Sequence, residues 1–408
     1  MTLSPVELRY RASHPYVATN SQVETDVLLN IAASPEARPV ETPLATCVVI
    51  DKSKSMRGRK IECAKDAAKR VVSMHDPEDL VSVFAFSTSV SKLVKPMKAY
   101  NYARMVKAIG KLKSKGLTSL YQALQKSGKE MSKLRGYMSR ILIFTDGYPT
   151  DEKNPLKYAS LARSLFLSGL TSSTVGVGSY NDAILRSISD NGGGWWEHIG
   201  YPDEITEAFA REVQRAKNVV ARQPTLCIRF GPNCRVLYAY SCLPIAKSLT
   251  LEEHERGFLC ARLPDLSKEG YQQYVFRVSV RSPDLLGEFQ LGQIAYVESR
   301  KTHSTMPIML ELTRDSELAS YTDLRPRAVF AITQAIEKGT RAIELGNKKL
   351  AIEAENETKA ILDDPQMRRA LDETEQGKTK ATQRATRAIR EGESIDSRES
   401  IFKMRTGN

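Results

Sequence analysis

From Leu44 to about Asn218 the sequence alternates short apolar segments with longer segments of helical periodicity, and no other feature constrains the fold as strongly. The apolar segments are rich in β-branched or aromatic residues and read LATCVVI, LVSVFAFS, RILIFT and SSTVGVG. The segment KIECAKDAAKRVVSMH has one apolar helical face, made of Ile61, Ala64, Ala68, Val71 and Val72. Continuous apolar strands separated by helices are typical of a parallel sheet that is covered on both faces. We therefore predict an α/β, doubly wound (Rossmann-like) domain over residues 43–220.

A second pattern begins near Pro224, where strand-like segments follow one another with only short polar turns between them. These segments are TLCIRF, RVLYAY, GFLCARL, YQQYVFRVSV and GQIAYVE. They leave no room for helices, so we predict an antiparallel β-sandwich over residues 221–317. The earlier segment DVLLNIAAS lies in residues 1–42, which we expect to contribute a strand to the sandwich. The α/β domain would then be an insertion into the sandwich.

The remaining residues, 318–408, are predicted to form a C-terminal helical region and tail. Their first part carries apolar residues at helical spacing, with Gly339 and Gly346 as candidate helix breaks. It is interpreted as a helical hairpin packed on the body of the protein. The second part, PQMRRALDETEQGKTKATQRATRAIREGES, is highly charged and almost free of apolar residues. It is interpreted as a solvated helix or a tail.

Composition limits the partners and the cellular location. The 408 residues include 60 Lys and Arg against 48 Asp and Glu, and a net charge of +12 indicates an acidic partner such as a protein, a nucleic acid or an anionic membrane surface. No apolar run approaches the roughly 20 residues that cross a bilayer, and the N-terminus has no secretory pattern. The six cysteines are scattered and interpreted as buried free thiols, so we expect a cytoplasmic protein.

Three polar segments are expected to meet at the carboxyl ends of the parallel strands, where ligands bind in such sheets. The segment DKSKS follows the first strand, SKGLTSLYQAL opens a helix, and ILIFTDGYPTD ends another strand. Together they supply two carboxylates and three hydroxyls, from Asp51, Ser53, Ser55, Thr118 and Asp146. An all-oxygen set of this kind suits a hard divalent cation such as Mg²⁺ or Mn²⁺.

The order and spacing of DKSKSM, GLTSLYQAL and FTDGYPTD resemble the metal-ion-dependent adhesion site of a von Willebrand factor A (VWA) domain. The resemblance covers roughly Pro43–Asn218, and the whole chain is similar to bacterial proteins in which such a domain is set into a sandwich. It implies that the three hydroxyls ligate the metal and that a partner's Asp or Glu completes the coordination. Asp51 and Asp146 would contact the metal through water, or would hold its ligands without contacting it. It also implies a non-enzymatic, cytoplasmic interaction protein, with an AAA+ ATPase of a stress or assembly system as one candidate partner.

One position departs from the family pattern. Family loops usually read D-x-S-G-S, whereas this chain has Lys54 between the serines and Lys52 just before them. Alternation along an extended loop predicts that both lysines point to water, opposite the serines. The other interpretation is that an ammonium occupies or repels the cation and disables the site.

The basic residues around the loops predict a positive rim. No acidic residue occurs between Asp79 and Glu130. The basic residues that flank the two ligand loops are Lys52, Lys54, Arg57, Arg59, Lys60, Lys111, Lys113 and Lys115, and those expected to contact a partner are Lys52, Lys54, Arg57, Lys113 and Lys115. A rim of this charge would steer an acidic partner to the metal. The alternative is that these are ordinary solvated side chains.

Catalytic arrangements are not evident. His14, His75, His198, His254 and His303 are far apart in the sequence, and neither G-x-S-x-G nor H-E-x-x-H occurs. The segment NGGGWWEHI lacks the lysine of a phosphate loop, so its glycines are interpreted as a turn and its tryptophans as packing residues. The main alternative function is a basic nucleic-acid-associated protein in which the VWA domain is a structural adaptor.

Overall fold

The computed structural model describes residues 4–254, 257–298, 301–393 and 396–407. They form two compact units, which we call the α/β unit (Pro39–Val219) and the sandwich unit (Met1–Arg38 with Val220–Asn408). No helix within the described ranges has both the length and the apolarity needed to cross a membrane.

The sandwich unit begins with three strands that precede the α/β unit in the chain. They are β1 (Val6–Ala12), β2 (Tyr16–Ala18) and β3 (Gln22–Ala33). In β3 a run of five buried residues begins at Thr25, as expected for a strand with neighbours on both sides.

The α/β unit is built on a six-stranded sheet. Its strands are β4 (Leu44–Asp51), β5 (Leu80–Phe86), β6 (Val90–Lys98), β7 (Met138–Thr145), β8 (Leu170–Val177) and β9 (Gly193–Ile199). The strand order is β6-β5-β4-β7-β8-β9, and only the edge strand β6 is antiparallel to its neighbour. Every residue of β4, β7 and β8 is buried, which explains their continuous apolar sequences. The predicted doubly wound parallel sheet is confirmed.

Six helices connect these strands. They are α1 (Arg59–Met74), α2 (Tyr102–Gly110), α3 (Leu120–Met131), α4 (Pro155–Leu167), α5 (Asp182–Asn191) and α6 (Ile205–Lys217). The apolar face predicted for α1 is buried and joins the core between α1, α6 and the sheet. The side chains of Asn154 and Asn181 cap the N-termini of α4 and α5, so these helices begin where an amide oxygen accepts the free backbone N–H groups.

The remaining strands of the sandwich follow the α/β unit. They are β10 (Val219–Ala221), β11 (Thr225–Phe230), β12 (Cys234–Leu243), β13 (Lys247–Ser248), β14 (Glu252–His254), β15 (Phe258–Arg262), β16 (Leu266–Ser267), β17 (Tyr271–Arg281), β18 (Gly287–Glu298) and β19 (Lys301–Thr313). One sheet has the order β1-β3-β17-β12-β13 and the other β14-β15-β11-β18-β19-β2. Because β3 pairs with both β1 and β17, strands from before and after the α/β unit share one sheet.

The prediction of six free thiols is wrong for one pair. Cys227 on β11 and Cys260 on β15 lie opposite each other, with Cα atoms 4.1 Å apart, and form a disulfide. Cys47, Cys63, Cys234 and Cys242 are free. Sequence spacing could not identify the pair, because a separation of 33 positions carries no information about cross-strand register.

In the described part of the C-terminal region, six helices follow the strands of the sandwich. They are α7 (Ser316–Ser320), α8 (Leu324–Leu345), α9 (Lys348–Asp363), α10 (Pro365–Ala370), α11 (Glu373–Glu391) and α12 (Ser397–Thr406). Gly346 ends α8 in the left-handed conformation, with φ of 59°. Gly339 was a candidate helix break, but the helix continues through it. It lies inside α8, where an added Cβ would come within 3.2 Å of Met404, Thr382 and Thr386, so it permits close packing of α8, α11 and α12.

The interpretation of the second C-terminal segment as a solvated helix or tail is also wrong over the described residues, which exclude Ser394. Helix α11 has a buried face that includes Thr379, Thr382 and Thr386. Each of these hydroxyls donates to the carbonyl four residues earlier, at 2.7 or 2.8 Å, so the polar atom is satisfied while the side chain is buried. A count of apolar residues missed this face because threonine counts as polar.

Candidate functional site

The loop after β4 is held by a buried carboxylate. Asp51 is the last residue of β4 and is fully buried. Its Oδ1 accepts a hydrogen bond from the backbone N–H of Ser53 at 2.7 Å, and its Oδ2 accepts one from the hydroxyl of Thr145 at 2.6 Å. Since Thr145 ends the neighbouring strand β7, Asp51 joins the start of the loop to the carboxyl end of β7.

Three side-chain oxygens form a compact group beside Asp51. The Oγ atoms of Ser53 and Ser55 are 2.9 Å apart, and the Ser55 hydroxyl donates to Oδ1 of Asp146 at 2.7 Å. Adjacent ligands of an octahedral ion that binds oxygen at about 2.1 Å would be roughly 3 Å apart. The spacing of these oxygens therefore fits ligands of a single small cation.

Thr118 comes from a third loop, just before α3, and is buried. A Cβ added to Gly147 would lie 3.3 Å from Oγ1 of Thr118 and 3.7 Å from Oγ of Ser55, so both hydroxyls border the same glycine. The structure thus brings together all five predicted donors. A side chain at Gly147 would crowd them.

Backbone hydrogen bonds hold the three loops against one another. The N–H of Lys54 donates to the Gly116 carbonyl at 3.1 Å, and the N–H of Lys115 donates to the Lys52 carbonyl at 2.7 Å. The N–H of Thr150 donates to the Thr118 carbonyl at 2.8 Å. The donor side chains are therefore carried by loops whose backbones are hydrogen-bonded to one another.

Two buried carboxylates lie in this site, and burial makes their ionised forms costly unless a cation is nearby. Burial raises the pKa of Asp51 to about 6, although hydrogen bonds from Thr145 and Ser53 oppose the rise, and the nearby charge of Asp146 adds to it. A cation among these oxygens would offset the cost of keeping Asp51 ionised. Within the described ranges no three His, Cys, Asp or Glu side chains form a metal-binding group, so the candidate site depends on hydroxyl donors.

Lys60 was expected only among the basic residues that flank the loop, but the structure pairs it directly with a candidate donor. It lies in the first turn of α1, and its ammonium donates to Oδ2 of Asp146, whose side chain is fully buried. Both oxygens of Asp146 therefore have partners, Ser55 on one side and Lys60 on the other. The available signal was positional, because a helix that starts directly after the loop returns its first turn toward that loop.

Neither lysine within the loop contacts the donor oxygens. Lys54 is exposed, and it forms no ion pair with the described residues. The ammonium of Lys52 donates to Oγ of Ser87 at 3.2 Å, and its pKa is lowered by partial burial and by the nearby charge of Lys115. An ammonium does reach the site, but it comes from Lys60.

The surface beside the donors is basic and partly apolar. Arg57, Lys113 and Lys115 are exposed, as are Leu117 and Tyr148, whose exposed fractions are 56% and 54%. Leu117 adjoins Thr118 and Tyr148 adjoins Gly147 in the sequence, so large apolar side chains flank two of the three loops.

Histidines do not contribute to this site. His75 is buried and hydrogen-bonds the Thr46 hydroxyl and the Val71 carbonyl, both at 2.7 Å. His198 hydrogen-bonds Tyr180 at 2.9 Å, and Trp195 packs under the guanidinium of Arg215. Trp195 has the expected packing role. The histidines are expected at turns or on the surface, and the burial of His75 shows that this expectation is wrong for that residue.

Comparison with known proteins agrees with this architecture. Residues 46–149 match the family model of the von Willebrand factor type A domain. The chain is 27% identical over 271 residues to the uncharacterized protein sll0103 of Synechocystis, covering 65% of this chain and 63% of that protein. It is 25% identical to the uncharacterized protein YfbK of Escherichia coli, covering 56% of this chain and 40% of that protein. The match thus spans less than two thirds of either relative.

Two solved structures share the fold at low sequence identity. A von Willebrand factor type A protein from Catenulispora acidiphila superimposes with a TM-score of 0.73 at 18% identity, covering 89% of this chain and 92% of that one. The ArnB paralog VWA2 from Sulfolobus acidocaldarius superimposes with a TM-score of 0.62 at 18% identity, covering 99% of both chains.

Proposed function

This chain carries a von Willebrand factor type A domain in its α/β unit, and we propose that the domain captures an acidic residue of a partner protein through a divalent metal ion. The observation that carries the proposal is the group of oxygens from Ser53, Ser55 and Asp146, spaced at 2.9 and 2.7 Å on loops that also present Thr118. Domains of this family generally mediate metal-dependent binding between proteins. The proposed activity is binding, without catalysis.

The choice of donors explains why the metal would need a partner. Ser53, Ser55 and Thr118 would hold Mg²⁺ or Mn²⁺ through neutral hydroxyls, with Asp51 and Asp146 as the nearby carboxylates. Neutral ligands leave most of the charge on the ion. An ion held in this way would attract a carboxylate from outside, so the metal supplies the attraction and the loops supply the position.

The charge of the α/β unit supports an acidic partner. Residues 39–219 contain 28 Lys and Arg against 18 Asp and Glu, whereas the rest of the chain contains 32 against 30. Almost all of the excess positive charge therefore lies in the unit that holds the site. Positive charge around a binding site accelerates association with an acidic surface, and exposed Leu117 and Tyr148 add apolar area for contact.

A pull-down with the full chain tests the proposal. The variant Ser53→Ala/Ser55→Ala should lose the partner that wild type retains with Mg²⁺, and EDTA should release it from wild type. A matched control is Ser73→Ala/Ser132→Ala, which removes one exposed and one half-buried hydroxyl from the same unit, away from the three loops. Equal recovery in every arm would show that no metal-bridged contact exists.

The positive charge also favours the alternative of nucleic-acid binding. Phosphate binding should weaken steeply as salt rises and should persist in EDTA. Retention of nucleic acid with this salt dependence, unaffected by the serine substitutions, would favour the alternative. An AAA+ ATPase as the partner, and a cytoplasmic location, stay predictions.

A further inference from the structure

Lys60 is placed where it neutralises part of the metal site. Its ammonium pairs with Oδ2 of Asp146, and the other oxygen of Asp146 accepts the Ser55 hydroxyl at 2.7 Å. The Lys60 side chain is 32% exposed, whereas that of Asp146 is fully buried. The carboxylate of the pair is therefore enclosed by protein, whereas the lysine side chain is in contact with solvent.

We propose that Lys60 is a built-in counter-cation of the metal site, which stabilises the metal-free form and lowers the affinity for the metal. The inference rests on the proposed function, because it concerns the same group of oxygens. Lys60 is a positioning residue in this scheme: it acts on the metal through Asp146.

The charges at the site give the physical reason. Asp51 and Asp146 bring two negative charges, and the ammonium of Lys60 leaves one of them uncompensated. An incoming divalent ion meets a site with half of its negative charge already cancelled, and it is repelled by a fixed positive charge close by. The loaded site then keeps an excess positive charge, which a carboxylate from a partner would balance.

Without metal, the pair of Lys60 and Asp146 stabilises the α/β unit. Asp146 has no exposed side-chain surface, so its charge needs a compensating group inside the protein. Lys60 supplies it. Loss of Lys60 should therefore weaken the metal-free α/β unit and strengthen metal binding, whereas loss of an ordinary surface ion pair should do neither to a large extent.

The test is a Mn²⁺ titration of the full chain, followed by electron paramagnetic resonance of the free ion. Lys60→Met should bind Mn²⁺ about tenfold more tightly than wild type, or more, because a unit charge near a divalent ion is removed. Lys69→Met is a matched control. Lys69 lies on the same helix, is 33% exposed and pairs with Asp66, so this variant makes the same change in net charge away from the site. Lys60→Arg keeps the charge and should resemble wild type.

Thermal unfolding provides a second readout that a purely structural role would not reproduce. Both tryptophans, Trp195 and Trp196, lie in the α/β unit, so their fluorescence reports its unfolding. In EDTA, Lys60→Met should melt below wild type. In saturating Mn²⁺ it should gain more in Tm than wild type gains. If Lys60→Met does not fold, Lys60→Gln keeps a donor to Asp146 without the charge and takes its place.

The outcomes separate this inference from the proposed function. Mn²⁺ binding by wild type that is lost in Ser53→Ala/Ser55→Ala, with no gain in Lys60→Met over Lys69→Met, overturns the role of Lys60 and leaves the metal site intact. Binding by Lys60→Met alone supports the role of Lys60 and overturns metal capture by the native chain. Absence of binding in every variant overturns both.

Discussion

Lys54 lies between the two serines of the candidate site, yet its side chain is exposed and its backbone N–H donates to Gly116. Residues Lys54–Met56 form a short 3-10 helix and not the extended loop that was expected, so the exposure of Lys54 follows from this helix and not from alternation along a strand-like segment. The glycine typical of family loops at this position is therefore not required here to make room for the cation.

Replacement of Lys54 should have little effect on the metal. We expect Lys54→Ala to bind Mn²⁺ within about twofold of wild type, because water and salt screen an exposed ammonium. Its effect should instead appear as slower association with the partner at low salt. A gain in Mn²⁺ affinity as large as that expected for Lys60→Met would place the Lys54 ammonium at the ion.

The donors and Lys60 differ in how far they could be predicted. Asp51, Ser53 and Ser55 are close in sequence and follow a recognisable strand, so the sequence predicts them at one edge of the sheet. The extended loop expected between the serines is instead a short 3-10 helix, Lys54–Met56. Asp146 follows from the same reasoning applied to β7. The contact between Lys60 and Asp146 joins residues 86 positions apart. The position of Lys60 at the start of α1 indicates that it lies near the loop, but local sequence does not indicate that Asp146 is its partner.

Helix α11 is attached to the sandwich sheet by a buried lysine. The ammonium of Lys378 donates to the Cys242 carbonyl on β12 at 2.9 Å, and the residue is only 2% exposed. On the same helix, Glu375 accepts a hydrogen bond at 2.9 Å from Arg325 of α8. Burial lowers the pKa of Lys378 to about 8, with the charges of Glu375 and Asp372 opposing the shift and that of Arg405 adding to it.

This pKa predicts that the contribution of Lys378 to the stability of the sandwich unit becomes more favourable as the pH rises, apart from the contributions of other groups that titrate in the same range. Below about pH 8 both the folded and the unfolded chain carry the proton, and the folded chain bears the cost of a buried ammonium. Between about pH 8 and 10.5 the unfolded chain binds more protons than the folded one, so the free energy of unfolding increases with pH. At about 1.4 kcal/mol per pKa unit the gain is about 3 kcal/mol.

Comparison with Lys378→Met isolates this contribution. The difference in unfolding free energy between wild type and variant should grow by about 3 kcal/mol over that pH range, measured by urea denaturation with circular dichroism. Tryptophan fluorescence identifies the α/β transition separately, because both tryptophans lie in that unit. A constant difference across the range would show that Lys378 titrates normally.

At the level of elements, the sequence predicted most helices and strands but not how they contact one another. Apolar runs and 3.6-residue periodicity identified β4, β7 and α1, because burial on one or two faces leaves a periodic signature. No such periodic signature marks the buried threonine face of α11 or the pairing of Cys227 with Cys260. Both depend on which surface another element covers.

In the whole molecule the two units have separate apolar cores. The core of the α/β unit runs from Val48 to Val213, and that of the sandwich unit contains residues from before and after the insertion. Within the α/β unit, the N–H of Val40 donates to the Val219 carbonyl at 2.7 Å, so the two ends of the insertion lie side by side. A unit that has its own apolar core, and whose two chain ends are adjacent, is expected to fold independently.

We therefore expect residues 39–219 to fold when expressed alone. The fragment should melt cooperatively by tryptophan fluorescence and should bind Mn²⁺ with the affinity of the full chain. Conversely, replacement of residues 41–218 by a linker of about three residues should leave the sandwich unit folded, because the adjacent ends need little chain to join them. An unfolded fragment, or one that lacks the Mn²⁺ affinity of the full chain, would show that the core of the α/β unit is not sufficient.

The sequence by itself indicated the doubly wound class of the α/β unit and predicted five candidate donors that the structure brings together, because burial imposes periodicity and strand ends carry recognisable polar residues. Only the tertiary structure decided that Lys60, and not Lys54, contacts Asp146, that α11 has a buried face, and that two cysteines are joined. These contacts depend on helix orientation and strand register, which are set by packing between residues distant in the chain. Local sequence patterns carry information about burial, but they do not record which distant residue covers a given surface.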